Sequence, residues 1–338
     1  MLSRVQLLRT VVFSTLLVAG ALSAFGSRRG DGPVLGSGSH RYRWVRDWAK
    51  LPPGMELGNT HGCVVLDSKG RVYLNTDTEN AVVVFDSEGN FLRSFGKELA
   101  GGLHGMCLFR EGAEELFLLA HTGRHQVLKS TLEGEIRSVV GYPEESGIYA
   151  SAEQYLPTSV AIAPDGGFFV ADGYGASWIH HYDAAGNYLA SFGGPGSEPG
   201  KFQTPHGILL EHDGDAALLL VADRENHRLQ SFDLSGTYRS AVEGILRRPC
   251  HMHRREGDLV VADLEGRVTI LDAKNQLLVQ LGDNPDPAKR AQNGVPRDAW
   301  RDGEFLAPHC AHWDAAGDLY VVDWVSAGRI TKLERLRD

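Results

Sequence analysis

The amino-acid sequence predicts an all-β protein, specifically a six-bladed β-propeller. The first observation is an internal repeat, because six related units begin roughly 50 residues apart along the 338-residue chain. The second is that most units read as two hairpins, with short apolar runs joined by Asp/Gly-rich turns. The third is the 40 glycines, well above the usual share of about 7%, which suits many tight turns. Six units of about four strands each are typical of propeller blades.

The ends of the repeat predict how the ring closes. The last unit ends after RITKLER (329–335) and supplies only three strands. The segment RYRWVRDW (41–48) precedes the first unit and alternates polar and apolar residues, as a half-buried strand does. We predict that it provides the missing outer strand of blade 6. Such closure leaves only short, protected sheet edges.

Residues 1–25 have the pattern of a targeting segment. Arg4 and Arg9 give it a basic start, and the apolar run that follows ends in small residues. The run is about 16 residues long, whereas spanning a bilayer takes about 20, so a cleaved signal peptide is favoured over an uncleaved membrane anchor. We expect an exported protein, periplasmic or secreted, that touches the membrane only if this segment is retained. Residues 26–40 are Gly/Ser-rich and predict a flexible linker, and residues 41–338 form the propeller.

Charge and cysteine content narrow the function classes. The net charge is −9 and the body has no basic tract, so nucleic acid is not expected as a partner. The four cysteines are too few to form the framework of a chain this long. The sequence leaves open whether Cys63 and Cys310, on adjoining blades, form a disulfide.

Histidines recur where the inner strands begin. The six first positions are His61, His104, Thr158, His206, Cys250 and His309. The inner strand of a blade begins on one face of the disc and the second strand returns there, so these residues should surround one mouth of the channel.

Three of these histidines suggest a metal site. His104, His206 and His309 belong to alternate blades, about 120° apart, and can converge on the axis. Three protein ligands and an open position are typical of catalytic zinc. The alternative is that these imidazoles only hydrogen-bond backbone around a wet channel. His61 is assigned to substrate contact or to a structural role, and His251, His253 and His312 are expected to be structural.

Two motifs carry a resemblance to known families. The segment Asp223-Arg224-Glu225-Asn226-His227-Arg228 is similar to the turn of NHL repeats, and Asp263 to Arg267 is a degenerate copy. Three longer segments resemble peptidyl-α-hydroxyglycine α-amidating lyases, which are six-bladed propellers and contain similar segments in the same order. They are VADGYGASWI (170–179), PGKFQTPHGI (199–208) and VADRENHRLQSF (221–232).

The resemblance implies roles for individual residues. It makes His104, His206 and His309 zinc ligands and Tyr174 the general base, with its phenol pKa lowered by the metal. Arg224 occupies the loop of blade 4 that corresponds to the Tyr174 loop of blade 3, and from that position we expect it to bind a substrate carboxylate bidentately. The alternatives are that Tyr174 is a rim aromatic and that Arg224 forms a salt bridge with an acidic neighbour.

The sequence also departs from the lyases at two points. They have an arginine after the second strand of blade 1, where this chain has Asn75-Thr76-Asp77. They also have an aspartate associated with calcium after the last histidine, where this chain has Cys310. These differences argue against a calcium site and against a simple transfer of the lyase reaction.

Two functions therefore stay open at the level of sequence. The first is an exported, metal-dependent C–N lyase, with zinc or another divalent transition metal. It would act on a peptidyl-α-hydroxyglycine-like peptide or small molecule at the channel mouth. The second is a non-catalytic extracytoplasmic NHL propeller that binds protein or glycan. The longer segments 141–157, 193–205 and 282–308 are expected to wall the histidine face in either case.

Overall fold

Six antiparallel sheets make up the protein. The computed structural model describes residues 32–213 and 216–337, and the targeting segment predicted at 1–25 lies outside these ranges. Five sheets have four strands each, and the sixth has five because both ends of the chain contribute to it. Within each sheet the neighbouring strands are antiparallel. The predicted all-β, six-bladed propeller is confirmed.

Blades 1 to 3 each run from an inner to an outer strand in chain order. Blade 1 contains β3 (Val64–Leu66), β4 (Val72–Asn75), β5 (Val82–Phe85) and β6 (Phe91–Phe95). Blade 2 contains β7 (Leu103–Glu111), β8 (Glu114–His121), β9 (Gln126–Thr131) and β10 (Ile136–Val140). Blade 3 contains β11 (Ser159–Ile162), β12 (Phe168–Asp172), β13 (Trp178–Tyr182) and β14 (Tyr188–Gly193).

Blades 4 to 6 continue the series. Blade 4 contains β15 (Pro205–Asp213), β16 (Ala216–Asp223), β17 (Arg228–Asp233) and β18 (Tyr238–Val242). Blade 5 contains β19 (Pro249–Arg255), β20 (Asp258–Asp263), β21 (Arg267–Leu271) and β22 (Leu277–Leu281). Blade 6 contains β23 (Pro308–Trp313), β24 (Leu319–Asp323) and β25 (Arg329–Arg335), together with β1 (Val34–Ser37) and β2 (His40–Val45).

Short 3-10 helices lie in the connections. Their bounds are Lys97–Leu99, Thr122–Arg124, Glu144–Ser146, Ala152–Gln154, Arg224–Asn226, Pro287–Lys289 and Arg297–Ala299. None of the described segments forms a helix with the length and apolar character needed to cross a membrane.

The ring closes through the N-terminal strand, as predicted. Strand β2 pairs antiparallel with β25, with Tyr42 opposite Arg335 and Trp44 opposite Leu333. The linker expected over residues 26–40 needs correction, because β1 pairs with β2 and extends the sheet by a fifth strand. The glycines that suggested a linker instead serve a hairpin, since Gly36 and Gly38 adopt φ values of 83° and 54° around the turn. Residues 26–31 lie outside the described part of the chain.

The core lies between neighbouring blades. Apolar residues from the middle strands of one sheet pack against those of the next, as Tyr73 of blade 1 does against Phe117 of blade 2, with ring centroids 5.1 Å apart. The same arrangement joins blade 5 to blade 6 and blade 3 to blade 4. Each inner strand is therefore held rigidly from both sides, and its first residue is presented at the channel mouth.

Candidate metal centre

The three histidines predicted as ligands come together at one mouth of the channel. The ring centroids of His104, His206 and His309 form a nearly equilateral triangle, with separations of 4.8, 4.8 and 4.7 Å. All three side chains are buried, with 0 or 1% of their surface exposed. His61 lies beside two of them, 4.8 Å from the His104 ring and 5.1 Å from the His309 ring.

A β-bulge aims these side chains at the axis. The pairing register between the inner and second strands shifts directly after Leu103, Pro205, Pro249 and Pro308. The residues that follow them are His104, His206, Cys250 and His309. A bulge bends the strand and re-aims a side chain, which is why such irregularities cluster at functional sites. Glycine follows the histidine in blades 2 and 4. A Cβ atom on Gly207 would lie 2.2 Å from the Cys250 carbonyl oxygen, so only glycine fits there.

In blades 4, 5 and 6 a buried aspartate fixes the loop that leads into the bulge. Asp223 ends the second strand of blade 4 and accepts a hydrogen bond from the Gln203 backbone N–H at 2.7 Å. In blade 6, Asp323 accepts from the N–H groups of Leu306 and Ala307. The NHL-type arginine in turn pairs with the aspartate, as Arg228 does with Asp223 at 2.8 Å. The repeat motif thus anchors the chain two or three residues before His206 and His309.

Backbone carbonyls set the orientation of the imidazoles. His104 Nδ1 lies 2.6 Å from the Thr158 carbonyl oxygen, and His309 Nδ1 lies 2.9 Å from that of Gly62. A carbonyl only accepts, so each Nδ1 carries the proton and each Nε2 offers its lone pair. Metal-binding histidines show this same arrangement. Among the described residues, His309 Nε2 and His206 Nδ1 are buried without a hydrogen-bond partner.

Burial keeps the imidazoles neutral, as metal ligands must be. It lowers the pKa values of His104, His206 and His309 well below the usual range. Burial, with a smaller contribution from Arg224, lowers the pKa of His61 to about 4. Each of these imidazoles is therefore uncharged at neutral pH and has a nitrogen lone pair to offer.

Tyr174 reaches the centre of the cluster. Its phenol oxygen lies 3.2 Å from the Nε2 atoms of His61 and His104 and 3.0 Å from that of His206. Arg224 Nη1 is 3.2 Å from the same oxygen. Burial raises the pKa of Tyr174 to about 12, and Arg224 opposes this shift. Desolvation therefore outweighs the nearby cation in setting this phenol pKa, and the lowering expected from a bound metal stays a prediction.

Arg224 contacts both an acidic neighbour and the phenol. Its Nε lies 2.9 Å from the Glu225 carboxylate, and this carboxylate also forms an ion pair with Arg248 Nη2 at 2.6 Å. The guanidinium carbon stands 5.3 Å from the Tyr174 ring centroid. The salt bridge considered in the sequence analysis is thus present, and it leaves guanidinium donors facing the cluster.

Blade 5 brings two further residues to the cluster, and only His251 was not expected there from the sequence. The His251 ring lies 5.0 Å from that of His206 and 5.2 Å from that of His309, rather than lower in the channel. Its Nδ1 donates to the His309 carbonyl oxygen at 3.0 Å. Cys250 is fully buried beside it. The bulge in blade 5 brings both residues to the cluster. The His251-x-His253 spacing in the sequence does not reveal this bulge.

In the part of the chain that the structure describes, potential ligand atoms within 4.8 Å of one another form two groups of three, and neither is the complete predicted triad. One contains His61, His104 and His309, and the other contains His206, Cys250 and His309. His309 is common to both, and each group includes two of the three predicted ligands. The residues present therefore fit a transition metal, since nitrogen and sulfur donors suit such ions.

A cavity opens from the cluster to the surface. It has a volume of about 250 Å³ and is lined by His61, His104, Tyr174, Asp77 and Leu156, among others. Leu156 comes from the segment 141–157 that was expected to wall this face. Burial raises the pKa of the Asp77 carboxyl, which accepts a hydrogen bond from Asn59.

The channel beyond the cluster has a different character. A second cavity of about 370 Å³ is lined by inner-strand residues of all six blades. In it, His253 and His312 stack with centroids 3.5 Å apart, away from the predicted ligands. The four cysteines are free thiols, and Cys63 and Cys310 are buried.

Comparisons with known proteins fit this architecture. No family model matches the chain. A probable peptidyl-alpha-hydroxyglycine alpha-amidating lyase of Caenorhabditis elegans is 31% identical over 163 residues, covering 47% of this chain and 45% of that protein. Peptidyl-glycine alpha-amidating monooxygenase B of Xenopus laevis is 33% identical over 162 residues, covering 46% of this chain and 18% of that protein. The human NHL repeat-containing protein 3 is 28% identical over 202 residues, covering 57% of this chain and 56% of that protein.

The chain spans less than half the length of both lyase-related proteins and little more than half of the NHL protein. Among solved structures, a streptogramin B lyase superposes with a TM-score of 0.58 at 14% identity, covering 89% of this chain and 98% of its own. The virginiamycin B lyase of Staphylococcus aureus gives 0.56 at 13% identity, covering 84% and 97%. These likenesses show the fold. By sequence and fold together, the chain is a six-bladed β-propeller that is similar to NHL-repeat proteins and to the amidating lyases.

Proposed function

We propose that the chain is an exported, metal-dependent C–N lyase that acts on a peptidyl-α-hydroxyglycine-like substrate at the histidine mouth. One observation carries this proposal. Three buried imidazoles lie 4.7 to 4.8 Å apart around the phenol of Tyr174, in a chain similar to amidating lyases. Export rests on the pattern of residues 1–25.

The metal would be held by His104, His206 and His309, with zinc as the first candidate. The unpaired Nε2 of His309 supports this assignment, because a buried nitrogen without a partner costs free energy unless a ligand satisfies it. When bound, a divalent metal supplies Lewis acidity that polarises the substrate hydroxyl.

Tyr174 is the proposed base. As phenolate it accepts the proton of the substrate hydroxyl, the C–N bond breaks, and the departing amide nitrogen regains a proton. The carbinolamide thus yields an amide and an aldehyde. Arg224, 3.2 Å from the phenol oxygen, favours the phenolate electrostatically.

Arg224 and His61 position the substrate. The guanidinium has five N–H donors, and its contacts with Glu225 and Tyr174 leave others for a carboxylate. His61 lines the cavity and hydrogen-bonds Tyr174, so it can contact both the substrate and the base.

Metal analysis and turnover test this proposal together. Mildly purified protein should carry about one transition-metal ion per chain, and His206→Ala should lose it. The loaded wild type should cleave an α-hydroxyglycine peptide. A wild type with only trace metal, unchanged in His206→Ala, would show that the histidines are channel lining.

A non-catalytic NHL propeller that binds protein or glycan is the second candidate. The match to NHL repeat-containing protein 3 favours it, because that match covers more of this chain than the lyase matches do. Bound metal without turnover of the α-hydroxyglycine peptide would support this alternative. Turnover that depends on Tyr174 would exclude it.

A further inference from the structure

Blade 5 presents a cysteine where blades 2, 4 and 6 present histidine. Cys250 follows Pro249, just as His206 follows Pro205 and His309 follows Pro308. Those three prolines occupy the same register, each opposite the aspartate that ends the second strand. The bulge that aims the histidines at the axis therefore aims Cys250 there too.

The Cys250 sulfur lies among possible metal ligands. One ligand atom each from His206, Cys250 and His309 falls within 4.8 Å of the other two. The residue is completely buried, so neither solvent nor an exogenous thiol competes for this position. The other two members have ring nitrogens without partners, Nδ1 of His206 and Nε2 of His309.

Arg224 is a cation close to the Cys250 thiol. Burial raises the pKa of this thiol to about 12, and the charge of Arg224 opposes that shift. A nearby cation stabilises the negative charge that a bound thiolate brings into a buried site. The Cys250 backbone is held firmly, because its carbonyl oxygen packs against Gly207 of the preceding blade.

We propose that Cys250 is a ligand of the metal ion, so that the donor set combines one sulfur with histidine nitrogens. This inference rests on the metal centre of the proposed function and specifies its chemistry. On binding, the S–H proton leaves to solvent and a sulfur–metal bond forms. A thiolate lowers the net charge of the centre and favours thiophilic ions such as zinc or copper(I) over magnesium, calcium or manganese.

X-ray absorption of the zinc-loaded full chain tests the inference. The wild type should show a sulfur scatterer at about 2.3 Å in addition to nitrogen scatterers at about 2.0–2.1 Å. Cys250→Ser should lose the sulfur shell and keep the nitrogen shell. Cys107→Ser is the matched control, since it removes another inner-strand thiol that belongs to neither ligand group, and it should keep the sulfur.

Cobalt(II) loading gives a second readout that does not depend on activity. A sulfur-to-cobalt charge-transfer band should be present in the wild type and Cys107→Ser and absent in Cys250→Ser. If Cys250→Ser fails to fold, a wild-type spectrum without the sulfur shell or the charge-transfer band still overturns the inference.

The outcomes separate the two proposals. A wild-type shell of nitrogen and oxygen only, or a sulfur shell that survives in Cys250→Ser, overturns this inference and leaves the proposed metal site intact. A wild type that binds no zinc overturns the metal centre itself, and this inference with it.

Discussion

At the scale of single residues, backbone carbonyls decide which ring nitrogen faces the axis. Thr158 and Gly62 accept the Nδ1 protons of His104 and His309, and so direct the Nε2 lone pairs inward. The acceptors are main-chain atoms, so substitution of their side chains does not remove them. This makes the orientation of the cluster a property of the propeller rather than of the neighbouring side chains.

The phenol of Tyr174 gives the sharpest single-residue test. Tyr174→Phe removes only the oxygen that contacts His61, His104 and His206. If the phenol is the base, kcat for an α-hydroxyglycine peptide should fall by about 100- to 10,000-fold while metal content stays unchanged.

Tyr188→Phe is the matched control, because that phenol bonds Ser191 on an outer strand of blade 3, and it should keep wild-type kcat. A Tyr174→Phe enzyme with unchanged kcat would assign the phenol to packing at the rim.

At the scale of the element, the inner strands of blades 4, 5 and 6 each begin with a bulge beside an aspartate anchor. The sequence predicted the histidines on alternate blades, because the repeat exposes residues in the same register. It did not predict the place of His251, because the bulge changes the alternation of side chains that a regular strand would follow. Cys250 was expected at the channel mouth from its place in the repeat, but the sequence analysis did not name it as a metal ligand. The Pro-Cys sequence, parallel to the two Pro-His sequences, was the signal for that role.

Gly207 tests the importance of this bulge. A Cβ atom there would lie 2.2 Å from the Cys250 carbonyl oxygen and 2.9 Å from the His251 Cα, so Gly207→Ala must push blades 4 and 5 apart. We expect a loss of about 1–3 kcal/mol in the free energy of unfolding, measured by urea denaturation, together with reduced metal content.

Gly141→Ala serves as the control, since no atom lies within 4 Å of its added Cβ, and it should match the wild type in both measurements. Wild-type stability and metal content in Gly207→Ala would mean that the blades tolerate the separation.

At the scale of the whole molecule, the ring depends on a strand from outside the repeat. Composition made residues 26–40 look like a linker, yet β1 forms from Val34 because the edge of β2 offers backbone partners that only the closed ring provides. The six-fold repeat and the closing strand could be read from the sequence, since both follow from local alternation. The fifth strand of blade 6 could not, because tertiary pairing overrides weak strand propensity there.

Trp44 tests the closure directly, because it is the largest side chain that β2 buries. Its ring lies 5.1 Å from that of Phe305, and the Arg329 guanidinium lies 4.8 Å from its centroid. Trp44→Ala removes these contacts at the junction of the two chain ends. The free energy of unfolding from urea denaturation should fall by about 3–5 kcal/mol. Leu92→Ala, on the exposed outer strand of blade 1, should change it by less than about 0.5 kcal/mol. A Trp44→Ala protein as stable as Leu92→Ala would mean that the ring holds together through blade-to-blade packing without its closing strand.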